Sequence, residues 1–404
     1  MYANVKVFEP PKAAWGIGME CYLDNAATTR VADSVREVMN LVMGEDFGNP
    51  SSLHKKGMEA EKYVKSAQAI IAKTLRAQPK EIVFTSGGTE ANNMALIGTA
   101  LAKSRVGKHI IATKFEHASV NAPLKFLEEM GFSLSFAPVD KEGHVLLSEL
   151  LSLIRPDTVL VSVMYVNNEV GAVQDIAAIS AAVKEKKPDV IFHTDAIQAY
   201  GKYRICPKRE GIDLLSASGH KFSGPKGSGF LYIRDKVRVL PIIYGGGQQN
   251  GMRSGTENVP AIAGLGKAAE EIYSGHEEKI ERLYLRKKQM VGLLCGMEGV
   301  FVHALSGRVE DGAPHIVSAG FEGVRSEVLL HALEERGVYV SSGSACSANH
   351  PGISTSLEAI GVRKELLDST LRFSFSPDTT AEEVDYAAAQ IRLLLPVLRR
   401  YTAH

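Results

Sequence analysis

The sequence predicts an α/β protein built on one large, mainly parallel sheet, with a smaller α+β domain after it. Two observations carry this. Apolar strand-like runs alternate with helix-like periodic segments through the first two thirds of the chain. The runs are Glu81–Thr85, His109–Thr113, Leu134–Pro138, Thr158–Tyr165, Val190–Thr194, Leu214–Ala217 and Gly229–Ile233, enough for a seven-stranded sheet. After about Ala263 the texture changes to a long charged helix and then to β-rich sequence. With 404 residues, 45% of them hydrophobic, the chain can fill two cores. The expected division is 22–266 for the large domain, and 1–21 with 267–404 for the small one.

The helices have their own signals. Ser34-Val-Arg-Glu37 has capping-box spacing and predicts the opening of an early helix. His54–Leu75 and Glu90–Lys103 are helices between strands, and Lys267–Leu294 is a long connector. A helix is expected around Ser326–Arg336, then a strand near Arg372–Ser376. The last helix opens at Thr380-Ala-Glu-Glu383, again with capping-box spacing.

Bulk properties exclude several functions. Lys plus Arg equals Asp plus Glu at 46 each, which implies no polyanion partner such as nucleic acid. No apolar run approaches the roughly 18 residues of a membrane helix, and the N-terminus has no signal-peptide core. Four widely spaced cysteines without a Cys-x-x-Cys pair argue against a disulfide framework or a zinc site, and fit a reducing cytoplasm. Cys21, Cys206 and Cys295 read as small core hydrophobes. Cys346 does not, because Ser-Ser-Gly-Ser-Ala-Cys346-Ser-Ala-Asn-His-Pro-Gly is loop sequence.

Five segments at strand ends carry the chemistry. Leu214-Leu-Ser-Ala-Ser218-Gly-His220-Lys221 ends a strand with one lysine beside a hydroxyl and an imidazole. Partly desolvated, such a lysine forms a Schiff base; a solvated loop lysine is the plainer alternative. Thr85-Ser-Gly-Gly88-Thr89-Glu90 joins strand to helix, where backbone N–H groups hold an anion, unless it is an ordinary turn capped by Thr89. Asp195, at the end of Val190–Thr194, lies where α/β folds bind ligands and could pair with a protonated pyridine, or could simply cap a helix. Gln198 follows one turn later. His117, in Lys114-Phe-Glu-His117, could stack on a flat ring and move protons, or be structural. Asn168, in Val166-Asn-Asn168-Glu, could bind a ring oxygen or a carboxylate, or be a turn asparagine.

In this fixed order the five segments resemble the class V aminotransferase group of fold-type-I pyridoxal-phosphate enzymes, and within it the cysteine desulfurases. The likeness runs from Tyr22-Leu-Asp-Asn-Ala-Ala-Thr-Thr29 to the last helix. It implies a fold-type-I transferase with pyridoxal 5′-phosphate as cofactor. Lys221 would form the internal aldimine, Asp195 would pair with the ring nitrogen, Gln198 with the ring oxygen, and His117 would stack on the ring. Gly88, Thr89, Ser218 and His220 would hold the phosphate. Thr256, in Arg253-Ser-Gly-Thr256, would reach the phosphate of a neighbouring subunit, which implies a homodimer. Arg372 would bind the substrate carboxylate. Cys346, in a loop reaching to Ser356, would attack the sulfur of L-cysteine and pass a persulfide to an acceptor, an iron–sulfur scaffold or a thiolation enzyme. A selenocysteine lyase, a cysteine-sulfinate desulfinase, a class V aminotransferase and a non-catalytic partner that keeps the fold are the alternatives.

Overall fold

The computed structural model describes residues 19–305, 307–342 and 354–402. Cys346 and its tract lie outside the described residues, as does most of the expected 1–21 segment.

Seven strands form the central sheet: β1 (Ile82–Thr85), β2 (His109–Thr113), β3 (Ser133–Ala137), β4 (Thr158–Ser162), β5 (Ile191–Asp195), β6 (Leu214–Ser218) and β7 (Gly229–Ile233). Their order is β1-β7-β6-β5-β4-β2-β3. β7 runs antiparallel to both of its neighbours, and the other pairings are parallel. β2, β4, β5 and β6 are buried along their whole length. Helices cover both faces, which is why these strands read as continuous apolar runs rather than alternating ones. One core, with Phe84, Phe192, Tyr200 and Phe230, packs against helices Asp33–Gly44, Lys55–Thr74 and Val259–Tyr273. Another, with Met94, Leu96, Leu124 and Leu160, packs beneath helices Gly88–Lys103 and Ala118–Glu129.

The smaller C-terminal domain holds a four-stranded antiparallel sheet, in the order Ser341–Ser342, Thr370–Ser374, Ile316–Phe321 and Val300–Val302. Its core of Phe321, Leu329, Phe373 and Ile391 is closed by helices His276–Cys295 and Ala381–Thr402. Leu23 joins this core, and Cys21–Tyr22 pairs in parallel with Val338–Tyr339. The start of the described chain is therefore stitched to its far end.

Three expectations are corrected. The Ser34 box does not form: the helix starts at Asp33, Ala32 caps it without a side-chain bond, and the Ser34 hydroxyl turns to Glu271 instead. The expected helix Lys267–Leu294 is two helices, Val259–Tyr273 and His276–Cys295, broken where Gly275 adopts φ 58°. That left-handed conformation ends a helix and is easiest for glycine. Of the three cysteines expected in cores only Cys21 is buried; Cys206 is half-buried and Cys295 exposed. Burial pushes the Cys21 thiol up to about 11. The Thr380 box does form: Thr380 N–H donates to Glu383 Oε2 at 2.6 Å, and Glu383 N–H donates to Thr380 Oγ1 at 3.2 Å.

Replacing this cap tests the local argument. Thr380→Ala should cost about 1 kcal/mol. The loss should appear as faster amide hydrogen exchange in the first turn of the terminal helix, with exchange in the central sheet unchanged. Unchanged exchange at that turn would contradict the assignment.

Candidate active site

The carboxyl ends of β1, β2, β4, β5 and β6 converge on one cavity of about 310 Å³. Gly88, Thr89, His117, Asn168, Asp195, Gln198, Ser218, His220, Lys221 and Arg372 all line it. In an open parallel sheet the turns that leave the strand ends meet on one side, so residues far apart in sequence become neighbours. Arg372 comes from the small sheet, which closes the opposite wall.

Asp195 ends β5 and is 3% exposed. Its oxygens accept from two uncharged donors, Asn92 Nδ2 at 2.8 Å and the Ile197 N–H at 2.9 Å. Burial raises its pKa, and the nearby His117 and Lys221 charges offset that only in part. A protonated ring nitrogen would supply the cation this carboxylate needs. Met164, Val166 and Ile197 add apolar lining suited to a flat ring.

His117 caps helix Ala118–Glu129, its Nδ1 accepting from the Ser119 N–H at 3.1 Å. Because Nδ1 accepts, a neutral imidazole carries its proton on Nε2. Lys221 sits in the short turn after β6, and its Nζ donates to the carbonyls of Ala26 and Ala27 at 2.6 and 2.7 Å. Both carbonyls belong to the Asp24-Asn-Ala-Ala segment near the start of the described chain.

Helix Gly88–Lys103 points its N-terminus at the cavity. Gly87 has φ 150° and ψ −175°, a region nearly closed to other residues. A Cβ on Gly88 would lie 2.1 Å from Ile197 Cδ1, so only glycine fits there without moving the cavity wall. Bare backbone N–H groups beside Ser218, Thr89 and His220 make an anion cradle that suits a phosphate. His220 Nδ1 lies 3.3 Å from Thr28 Oγ1, and burial together with the Lys221 charge brings His220 down to about 4, so it is neutral at pH 7.

Arg372 is 5% exposed. One of its terminal nitrogens donates to the Asn168 carbonyl at 2.7 Å and the other to Asp24 Oδ1 at 2.9 Å. Its Nε is buried and has no acceptor among the described residues.

Thr256 does not line the cavity. It is exposed, on a loop whose Arg253 grips Glu90, with Nε 2.8 Å from Oε1, at the start of helix Gly88–Lys103. Two buried residues that hold cavity-lining ones, Asn92 and Glu116, escaped the motif reading. Asn92 is a fully buried asparagine on the apolar face of its helix, a legible anomaly, but its partner Asp195 is 103 positions away. Glu116 is also buried, and its Oε1 accepts from Thr113 Oγ1 at 2.7 Å and the Met164 N–H at 2.9 Å. Its Oε2 has no partner among the described residues, and burial pushes its pKa up to about 8.

The chain is similar to known proteins over most of its length. The family model "Aminotransferase class-V" matches residues 21–387. A protein of Dictyoglomus turgidum named "Cysteine desulfurase IscS" is 42% identical, covering 94% of this chain and 95% of its own. "Putative cysteine desulfurase IscS 1" of Bacillus subtilis is 44% identical, covering 92% and 97%. A solved structure titled "NIFS-LIKE PROTEIN" superposes with a TM-score of 0.88 at 37% identity, covering 94% of this chain and 100% of its own. Another, "SspA in complex with cysteine", gives 0.76 at 34% identity, covering 89% and 100%.

Glu116 supplies a pH test. Its folded pKa of about 8 lies above the ordinary 4.5, so the folded protein holds a proton the unfolded chain has lost. That contribution is fully present below about pH 4.5 and is lost as pH rises through 8. Relative to Glu116→Gln, the wild-type protein without cofactor should therefore lose roughly 2–3 kcal/mol of stability between pH 6 and pH 8. Denaturant unfolding of both proteins at the two values measures it; parallel curves would contradict a buried neutral carboxyl.

Proposed function

This chain belongs to the class-V aminotransferase family and is a cysteine desulfurase, and from that premise we propose that its strand-end cavity holds pyridoxal 5′-phosphate and L-cysteine with the residues named above in defined roles. One observation supports this most. Asp195, His117, Lys221 and Arg372, from separate elements, line the same cavity. The family is pyridoxal-phosphate-dependent in general, and the donor set here fits that group.

In this reading Asp195 meets the ring nitrogen, His117 lies against the ring face and Gln198 donates to the ring oxygen. Gly88, Thr89, Ser218 and His220 receive the phosphate. When bound, the cofactor supplies an electron sink that eases cleavage of bonds at the substrate Cα. Lys221 holds the cofactor and takes the Cα proton. Arg372 binds the substrate carboxylate beside Asn168. His117 handles protons at the ring and on the substrate thiol. The Cys346 thiolate attacks the substrate sulfur, an S–S bond forms and the C–S bond breaks. The C–S electron pair stays with the three-carbon fragment, which takes protons and leaves as L-alanine. The persulfide on Cys346 then passes to a sulfur-acceptor protein, an iron–sulfur scaffold or a thiolation enzyme in the cytoplasm.

A homodimer is part of the reading, with Thr256 of one copy completing the phosphate site of the other. Leu41, Met43, Phe47, Leu53 and Met58 support it: all five are exposed on the ends of two consecutive helices and the turn between them, and Leu53 is 98% exposed. Apolar surface of this kind is characteristic of an interaction site. We also place the division between the large domain (22–266) and the small one (1–21 and 267–404) near the break at Gly275, a few residues beyond the expected position. Helix Val259–Tyr273 packs on the large core and helix His276–Cys295 on the small one.

The test is product counting. Wild-type protein with L-cysteine and a thiol reductant should release alanine and sulfide in equal amounts. Cys346→Ala should lose both by at least a hundredfold while keeping the absorbance of bound cofactor, and Lys221→Ala should lose catalysis as well. Wild-type sulfide release from Cys346→Ala would overturn the assignment. Arg372→Lys should raise KM for L-cysteine about tenfold or more, because an ammonium cannot reproduce the planar fork; an unchanged KM would remove Arg372 from the substrate site.

A further inference from the structure

We propose that His315, on the small domain, is a positioning residue that fixes which face of the Gln198 amide looks at the cofactor ring. The inference rests on the cofactor placement proposed above. His315 directly precedes strand Ile316–Phe321 and is 1% exposed. Its Nε2 lies 3.1 Å from Gln198 Oε1.

Donor and acceptor chemistry fixes the direction of each bond. Gln198 Nε2 donates to the Ala26 carbonyl at 2.9 Å, and a carbonyl can only accept. The amide nitrogen is therefore on that side, and its oxygen faces the histidine. An amide oxygen can only accept, so His315 carries its proton on Nε2. Its Nδ1 is left bare, with no partner among the described residues. Burial, reinforced by the charges of Lys202, Lys287, Arg372 and Lys221, keeps the ring uncharged. With its oxygen committed to His315 and one N–H to Ala26, Gln198 has one N–H left to offer the cavity it lines.

A side chain present only to fill space would not leave a buried nitrogen unpartnered, since leucine would fill such a space without that penalty. The consequence is chemical. An N–H donor toward the ring oxygen stabilises that oxygen as an anion, whereas the amide oxygen turned the same way would repel it. The small domain thereby acts on the cofactor through Gln198, besides supplying Arg372 to the substrate.

The experiment uses full-length protein loaded with pyridoxal 5′-phosphate, comparing wild type, His315→Leu, His315→Gln and Gln198→Leu. Its readouts are the pH midpoint of the visible absorbance change and the cofactor Kd. His315→Leu frees the amide to turn over, so the midpoint should rise by about one pH unit and Kd should weaken about tenfold. His315→Gln restores an N–H donor and should return both toward wild type. Gln198→Leu should shift both in the same direction, and the double variant should match Gln198→Leu, since no amide is left to position. A Gln198→Leu shift with none in His315→Leu would overturn the inference while leaving the cofactor placement standing. No shift in Gln198→Leu would overturn that placement, and the inference with it. If His315→Leu does not fold, His315→Gln decides: a midpoint near wild type supports the inference, and one shifted as far as in Gln198→Leu overturns it.

Discussion

The arrangement depends on one buried carboxylate. Asp195 sits at the carboxyl end of a fully buried strand and is held by Asn92 and a backbone N–H, both uncharged. A carboxylate in such a place is unfavourable unless it meets a cation or takes up a proton. The neighbouring histidine and lysine reduce that penalty without removing it. The fold thus holds a site shaped for a ligand that brings positive charge on a flat ring, and the apolar and anion-binding walls of the cavity extend the same description outward.

The large sheet and the small one make different contributions. Parallel strands deliver Asp195, His117, Asn168 and Lys221 to one edge, and a glycine pair lets a helix N-terminus approach the same space. The small sheet contributes Arg372, whose guanidinium is tied to Asp24 and to the Asn168 carbonyl. Lys221, in turn, rests on carbonyls of the segment that begins at Asp24. Each wall of the cavity is braced by a piece of chain from elsewhere in the sequence, so loosening one piece would be felt at several cavity-lining groups.

Much of this was legible before the structure, for a physical reason. Buried parallel strands leave continuous apolar runs, so all seven strands could be placed to within a residue or two, apart from β4. Its regular ladder stops at Ser162, although the N–H groups of Val163 and Tyr165 still reach carbonyls of β5. Ligand-facing residues follow strand ends, so Lys221, Asp195, His117 and Asn168 announced themselves by position. Contacts made across the fold did not. Ser34 had the right spacing for a cap yet found Glu271 instead, and the turn at Gly275 interrupted a pattern that reads as one helix. His315 carries no motif, and its link to Gln198 spans 117 positions.

The most direct test of the central claim is the protonation state of the bound ring. Pyridoxal 5′-phosphate labelled with ¹⁵N at the ring nitrogen, bound to the wild-type protein, should show the chemical shift of a protonated nitrogen at pH values where the free cofactor has lost that proton. In Asp195→Asn the shift should move to that of the unprotonated ring. A ring nitrogen that is unprotonated in the wild type at neutral pH, or equally protonated in both proteins, would contradict the role given to Asp195 and the account built on it.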